Sequence, residues 1–204
     1  MGARHLDFGM LSAKEGIVSD GEGPPNRITV AAPSQNVVTA NITGKAAYAG
    51  LEPEKAVSAM LIAAHILMRL PLGRIDEETT ANIRHMEAGL KRNIAPEDAL
   101  LDGEFRSLNN EKLAYLERKF RGAFDEVASR YPEASISLDI ANTYQAYQIN
   151  RTDPVVATIA KALLSIGLKP VLETSGEGSN AKIFNQRAIT ALPVGFGVRS
   201  LHTT

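Results

Sequence analysis

The order of hydrophobic patterns between residues 36 and 144 constrains this chain more than any other feature. Alternation over residues 37–43 predicts a strand. A helix is predicted over 53–70, two strands near 79–87 and 99–106, a second helix over 111–131, and a last strand over 135–140. Strand, helix, strand, strand, helix, strand is the split βαβ, or ferredoxin-like, order. Residues 1–35 and 145–204 read as two pieces of a second α/β domain, with residues 36–144 inserted between them.

Both predicted helices carry an apolar stripe. Pro53 suits a first helical turn and Glu54 complements the positive helix end. Val57, Met60, Leu61, Ala64, Leu67 and Met68 follow at helical spacing, and Pro71 with Gly73 ends the pattern. His65 has no second histidine or carboxylate at a helical step, so it reads as an ordinary helix residue. In the second helix Leu113, Leu116, Phe120, Phe124 and Val127 share one side, while the charges of Glu111, Lys112, Lys119, Arg121 and Glu126 form a solvated face. The flanking pieces contain a strand over 27–32 stopped by Pro33, and a helix opened by Asp153 and Pro154 and closed by Gly167. A strand over 169–173, a glycine-rich turn over 175–180, a helix over 181–187 and a strand over 191–194 follow.

Composition narrows the function. A formal net charge of −1 gives no general attraction to nucleic acid or anionic membrane. A four-stranded sheet that stacks RNA bases needs aromatics on its central strands, and only Phe105 is there. Cysteine is absent, so a metal would have to use His, Asp or Glu. The longest apolar run, 56–70, is too short to span a bilayer and no signal peptide is read at the start, so a cytoplasmic location is expected. The loop Gly176-Glu177-Gly178-Ser179 precedes a helix but lacks the lysine of a P-loop, and by itself reads as a strand-to-helix turn. Asp20 in a DG turn is by itself a turn former, and His202 a histidine near the chain end.

Taken in order, several motifs resemble one family. They are GARHLD, GIVSDGEG, ITGKAAYAGLEPEKAVSA, TTANI, the run 88–97, LDGEFRS, SGEGSNAKIFN and GFGVRSLHTT. Their order and spacing are similar to the C-terminal two-thirds of the cocatalytic zinc peptidases that include peptidase T, glutamate carboxypeptidases and acetylornithine deacetylase, closest to peptidase T-like members. The resemblance implies a partial α/β catalytic domain (1–35 and 145–204) with an inserted ferredoxin-like dimerisation, or lid, domain (36–144). It implies two zinc ions in the complete enzyme, a small peptide as substrate, and a homodimer formed through the lid.

Carried over by position, the resemblance makes Asp20 and His202 ligands of the two zinc ions. It makes Asn93 and Arg106 substrate-holding residues. Arg106 would grip a substrate carboxylate with its planar fork of donors; Asn93 is otherwise a turn residue before Pro96. Tyr48 stands where the family has a histidine that reaches the partner's active site; it can donate a hydrogen bond but carry no positive charge. Asn180 replaces an aspartate, Lys182 an uncharged residue and Ala88 a glycine, and Glu177 adds a charge to the glycine-rich loop.

The family's remaining metal ligands and its general base lie upstream of the segment resembled by GARHLD. The expectation is therefore the C-terminal portion of a zinc-dependent, aminotripeptidase-like hydrolase, inactive and at most partly zinc-binding as the isolated chain. The alternative is a non-catalytic dimerisation module descended from such an enzyme.

Overall fold

The computed structural model describes residues 2–198. The chain divides into two compact units, one of residues 1–34 and 144–204 and the other of residues 35–143.

In the second unit a five-stranded sheet has the order β4-β5-β6-β3-β7. Its strands are β3 (Ser34–Thr43), β4 (Gly73–Arg74), β5 (Thr79–Ala88), β6 (Asp98–Ser107) and β7 (Ser135–Tyr144). Without the short β4 this is the ferredoxin-like order, in which β3 and β6 are central. Helices α1 (Ala59–Leu67) and α2 (Asn110–Ala128) supply the other layer. Alternation places Val38, Ala40 and Ile42 of β3, and Leu101 and Phe105 of β6, in one core with Ile62, Ile66, Leu116, Phe120 and Val127. The Phe105 and Phe120 rings meet at 4.9 Å between centroids, tying β6 to α2. The fold class read from the sequence, α/β with a ferredoxin-like unit, therefore holds.

The first helix is shorter than its pattern predicted. Pro53–Lys55 is a 3-10 turn, and α1 starts only at Ala59, where the Ser58 hydroxyl accepts from the Leu61 amide. The reason is backbone pairing. Lys45 and Val57 exchange two hydrogen bonds, of 2.8 and 3.0 Å, which holds Val57 extended. Gly44 makes that approach feasible, since a Cβ there would lie 1.9 Å from the Val57 carbonyl oxygen. Helix α2 starts one residue earlier than predicted because Asn109 accepts from the amides of Glu111 and Lys112. Such a cap contributes about 1 kcal/mol. In the first turn of α2, Lys112 bonds Asp76 at 3.0 Å and Glu78 at 2.7 Å. The Glu78 backbone N–H and then Lys112 hold the Asp76 carboxyl below the usual range.

In the first unit the sheet runs β1-β10-β2-β8, with β9 also on β2. The strands are β1 (Glu15–Gly21), β2 (Arg27–Ala32), β8 (Tyr147–Gln148), β9 (Val171–Thr174) and β10 (Thr190–Gly195). β1 is parallel to β10, which is antiparallel to β2. Helix α3 (Pro154–Ser165) is capped by Asp153 and packs Val155, Val156, Ile159 and Leu163 onto Ile28, Val30 and Leu192. Helix α4 (Ala181–Asn185) lies against β10, where Asn185 donates to the Ala191 carbonyl and accepts from its amide. Among the described residues no helix is long and apolar enough to cross a membrane.

Phe120→Ala should remove the ring that joins the helix layer to the sheet, costing about 3–5 kcal/mol. A lowered urea midpoint of the helical circular-dichroism signal is the expected result; an unchanged midpoint would mean the ring is not a core element.

Candidate functional site

Asp20 sits at an irregularity in β1. The pairing with β10 shifts between Ser19 and Gly21, so Asp20 has no register partner. A bulge of this kind re-aims a side chain. Its cause is close backbone approach: a Cβ on Gly21 would lie 2.9 Å from the Val194 carbonyl, and one on Gly195 would lie 2.1 Å from the Pro24 carbonyl oxygen. The exposed Asp20 shares a small crevice with Thr29, Tyr147, Ser175, Glu177 and Ser179. Tyr147 donates a long bond of 3.4 Å to the Thr29 carbonyl, and burial pushes its hydroxyl pKa far above the usual phenol range. It stays a neutral donor at any physiological pH.

The glycine-rich segment is a strand-to-helix turn, as the sequence suggests. Ser175 accepts from the Glu177 amide at 3.0 Å and Ser179 from the Ala181 amide at 3.2 Å. Asn180, at the cap position of α4, makes no side-chain cap bond. Lys182 is the surprise in this region: it is 1% exposed. Its ammonium donates to the Pro33 carbonyl at 2.5 Å and lies 5.1 Å from the centre of the Tyr144 ring. Gly178 packs on the same ring, where a Cβ would come within 3.2 Å.

His202 lies outside the described residues. The segment before it is placed, with Phe196 and Gly197 donating to the carbonyls of Gly21 and Gly23 at 2.9 and 2.7 Å. Among the described residues no group of three or more His, Asp or Glu side chains could hold a metal ion. A zinc site needs three or four protein ligands, so the described donors around Asp20 do not by themselves fit one.

In the second unit the structure brings Tyr48 and Asn93 together. Residues 47–49 run antiparallel to residues 93–95, with Ala49 donating to the Asn93 carbonyl at 3.0 Å and Ala95 to the Ala47 carbonyl at 2.9 Å. Tyr48 bridges Ile94 and is 47% exposed, so its ring is available to a partner. Asn93 is exposed in the turn between β5 and β6.

Arg106 lies on the β6 face opposite Phe105, away from the helices. Its guanidinium is held by Glu104, two residues earlier on that face, with Nε to Oε1 at 2.8 Å and Nη2 to Oε2 at 2.9 Å. Gln35 of β3 also donates to Glu104. The i, i+2 spacing of Glu104 and Arg106 was the signal for this pair; the strand period puts both on one face.

Three comparisons show what this chain is similar to. Residues 36–132 match the model of the M20 peptidase dimerisation domain. The chain is 39% identical to the uncharacterized protein YqjE of Bacillus subtilis, over all of this chain and 54% of that protein. Among solved structures it is similar to an aminopeptidase PepT from Bacillus cereus, with 38% identity and a TM-score of 0.86 over 99% of this chain and 54% of that one. A tripeptidase from Staphylococcus aureus is 31% identical with a TM-score of 0.91, at the same coverage. The resemblance read from the sequence is upheld as a likeness: residues 36–132 match a peptidase dimerisation domain, and the chain is similar along its length to an aminopeptidase PepT and a tripeptidase. It spans about half the length of these relatives.

Glu104→Gln should weaken the hold on Arg106. The Arg106 Nε–H resonance is expected to exchange faster with solvent; unchanged exchange would show that other contacts fix the guanidinium.

Proposed function

We propose that this chain is part of a zinc-dependent, peptidase T-like metallopeptidase that acts on small peptides in the cytoplasm. Residues 36–144 are its dimerisation domain, and residues 1–35 and 145–204 are parts of its catalytic domain. The observation that supports this most is likeness along the whole chain to an aminopeptidase and a tripeptidase. Asp20 is a carboxylate ligand of one zinc ion, and His202 is the ligand of the other. Asn93 and Arg106 hold the substrate. A substrate carboxylate must then compete with Glu104 for the Arg106 fork, which makes Arg106 a selective rather than a general anion site.

The same unit supports a homodimer. The side of α1 away from the core is apolar, with Met60 at 42%, Leu61 at 50% and Met68 at 84% exposure. A helix apolar on all sides is normally covered on all sides. β4 pairs only with Thr80 and Ala81, so residues 82–88 form an outer sheet edge. An exposed helix face and a strand edge together suit pairing about a two-fold axis. In that dimer Tyr48 faces the partner's cleft.

A second reading, a non-catalytic dimerisation module, is favoured by Tyr48 in place of the family's histidine and by Asn180 in place of its aspartate.

Leu61→Asp should weaken dimerisation by at least about tenfold in sedimentation equilibrium, since it places a charge in the contact. Unchanged association would reject α1 as the interface. Zinc calorimetry and a di- and tripeptide assay on the purified chain test the catalytic assignment. Neither two tight zinc sites nor cleavage is expected, because Asp20 and His202 are too few ligands. Two tight sites with metal-dependent cleavage would show that the metal centre lies elsewhere.

A further inference from the structure

A groove of about 560 Å³ runs along the outer side of the helix layer in the second unit. It is lined by Arg69, just beyond α1, and by Tyr115, Arg118, Lys119, Gly122, Ala123 and Glu126 of α2. Positions 115, 118, 119, 122 and 126 make one stripe at helical spacing. The open sheet face that carries Arg106 is on the other side of the core.

The charges in the groove are unevenly paired. Glu126 is already held by Arg69 at 3.0 Å and Arg130 at 2.6 Å. Lys112 is paired with Asp76 and Glu78, and Arg121 with Glu117. Arg118 and Lys119 have no carboxylate partner among the described residues. Both instead stand over the Tyr115 ring, at 5.8 and 5.3 Å from its centre. The ring holds the two cations side by side, which reduces the entropy lost when they bind an anion. A net charge of −1 for the whole chain means this local excess is not general basicity.

The floor of the groove is bare. Gly122 is exposed in the interior of α2, and a Cβ there would meet nothing within 4 Å. Glycine in a helix interior is destabilising relative to alanine, and here no internal packing requires it. Its effect is a shelf without side chain beside Arg118 and Lys119.

We propose that this groove binds a phosphate monoester, its dianionic phosphate on the Gly122 shelf between Arg118 and Lys119, with Arg69 on the far side. A planar guanidinium and an ammonium together match phosphate oxygens by charge and by donor number. The site is separate from the peptide-binding reading above and does not depend on it.

Calorimetry and ¹⁵N NMR of the 204-residue chain at constant ionic strength test this, with inorganic phosphate and adenosine monophosphate as probes. Saturable binding with shifts centred on residues 115–122 is expected. Tighter binding of the nucleotide identifies an ester as the source, equal binding identifies phosphate alone, and either supports the site. Arg118→Ala and Lys119→Ala should each weaken binding about tenfold, as for a lost charged hydrogen bond. Gly122→Leu, on an exposed helix face, should keep the fold by circular dichroism and abolish binding. Arg121→Ala, whose guanidinium is paired with Glu117, should bind like the parent chain. No binding of either probe would overturn the proposal. So would equal losses in the Arg121 and Arg118 variants, which would mean diffuse charge attraction.

Discussion

The second unit depends on the burial of one face of two central strands. β3 and β6 alternate strictly, with Val38, Ala40, Ile42, Leu101 and Phe105 inward and Thr39, Asn41, Asp102, Glu104 and Arg106 on the other face. Because the side-chain period is two, a slip of one residue would expose the whole apolar set. The two helices add Ile62, Ile66, Phe120 and Val127 to the same layer, all fully buried. That single apolar layer sets the register of the sheet. The register then fixes which side chains stand on the open face, Arg106 among them.

Much of this was legible in residue patterns. The order of elements around Asn36 and Tyr144 follows from alternation in the strands and apolar stripes in the helices. The start of α1 was not legible. Pro53 and Glu54 carry good local start chemistry, but a non-local pair of hydrogen bonds between Lys45 and Val57 overrides it and moves the start to Ala59, with Ser58 as the cap. Propensity describes neighbours in sequence; this competitor came from across the fold. The two-residue strands β4 and β8 are likewise set by partners rather than by any pattern of their own.

The candidate site was legible unevenly. Asp20 was picked out by the resemblance alone, its DG pair reading by itself as a turn; the structure puts it at a bulge where Gly21 permits close backbone approach. The approach of Tyr48 to the Asn93 turn could not be read, because 47–49 in one loop and 93–95 in another meet only in three dimensions. Lys182, read in the sequence only as a charge in place of an uncharged residue, is a buried cation with a carbonyl and an aromatic face as partners. Nothing in the local sequence announces a buried lysine; its environment is made by Pro33 and Tyr144, distant in the chain.

The two ends of the second unit meet. Thr143 donates to the Gln35 carbonyl at 3.2 Å, and Asn142 to the same carbonyl at 3.3 Å and to Asn36 at 2.8 Å. The chain leaves the first unit and re-enters it through adjacent strand ends, so the intervening hundred or so residues cost the host about as much closure entropy as a short loop. A unit joined this way is modular in a physical sense. It could be excised and its host ends joined by a few residues, or exchanged for another of equal end spacing, without stretching either piece.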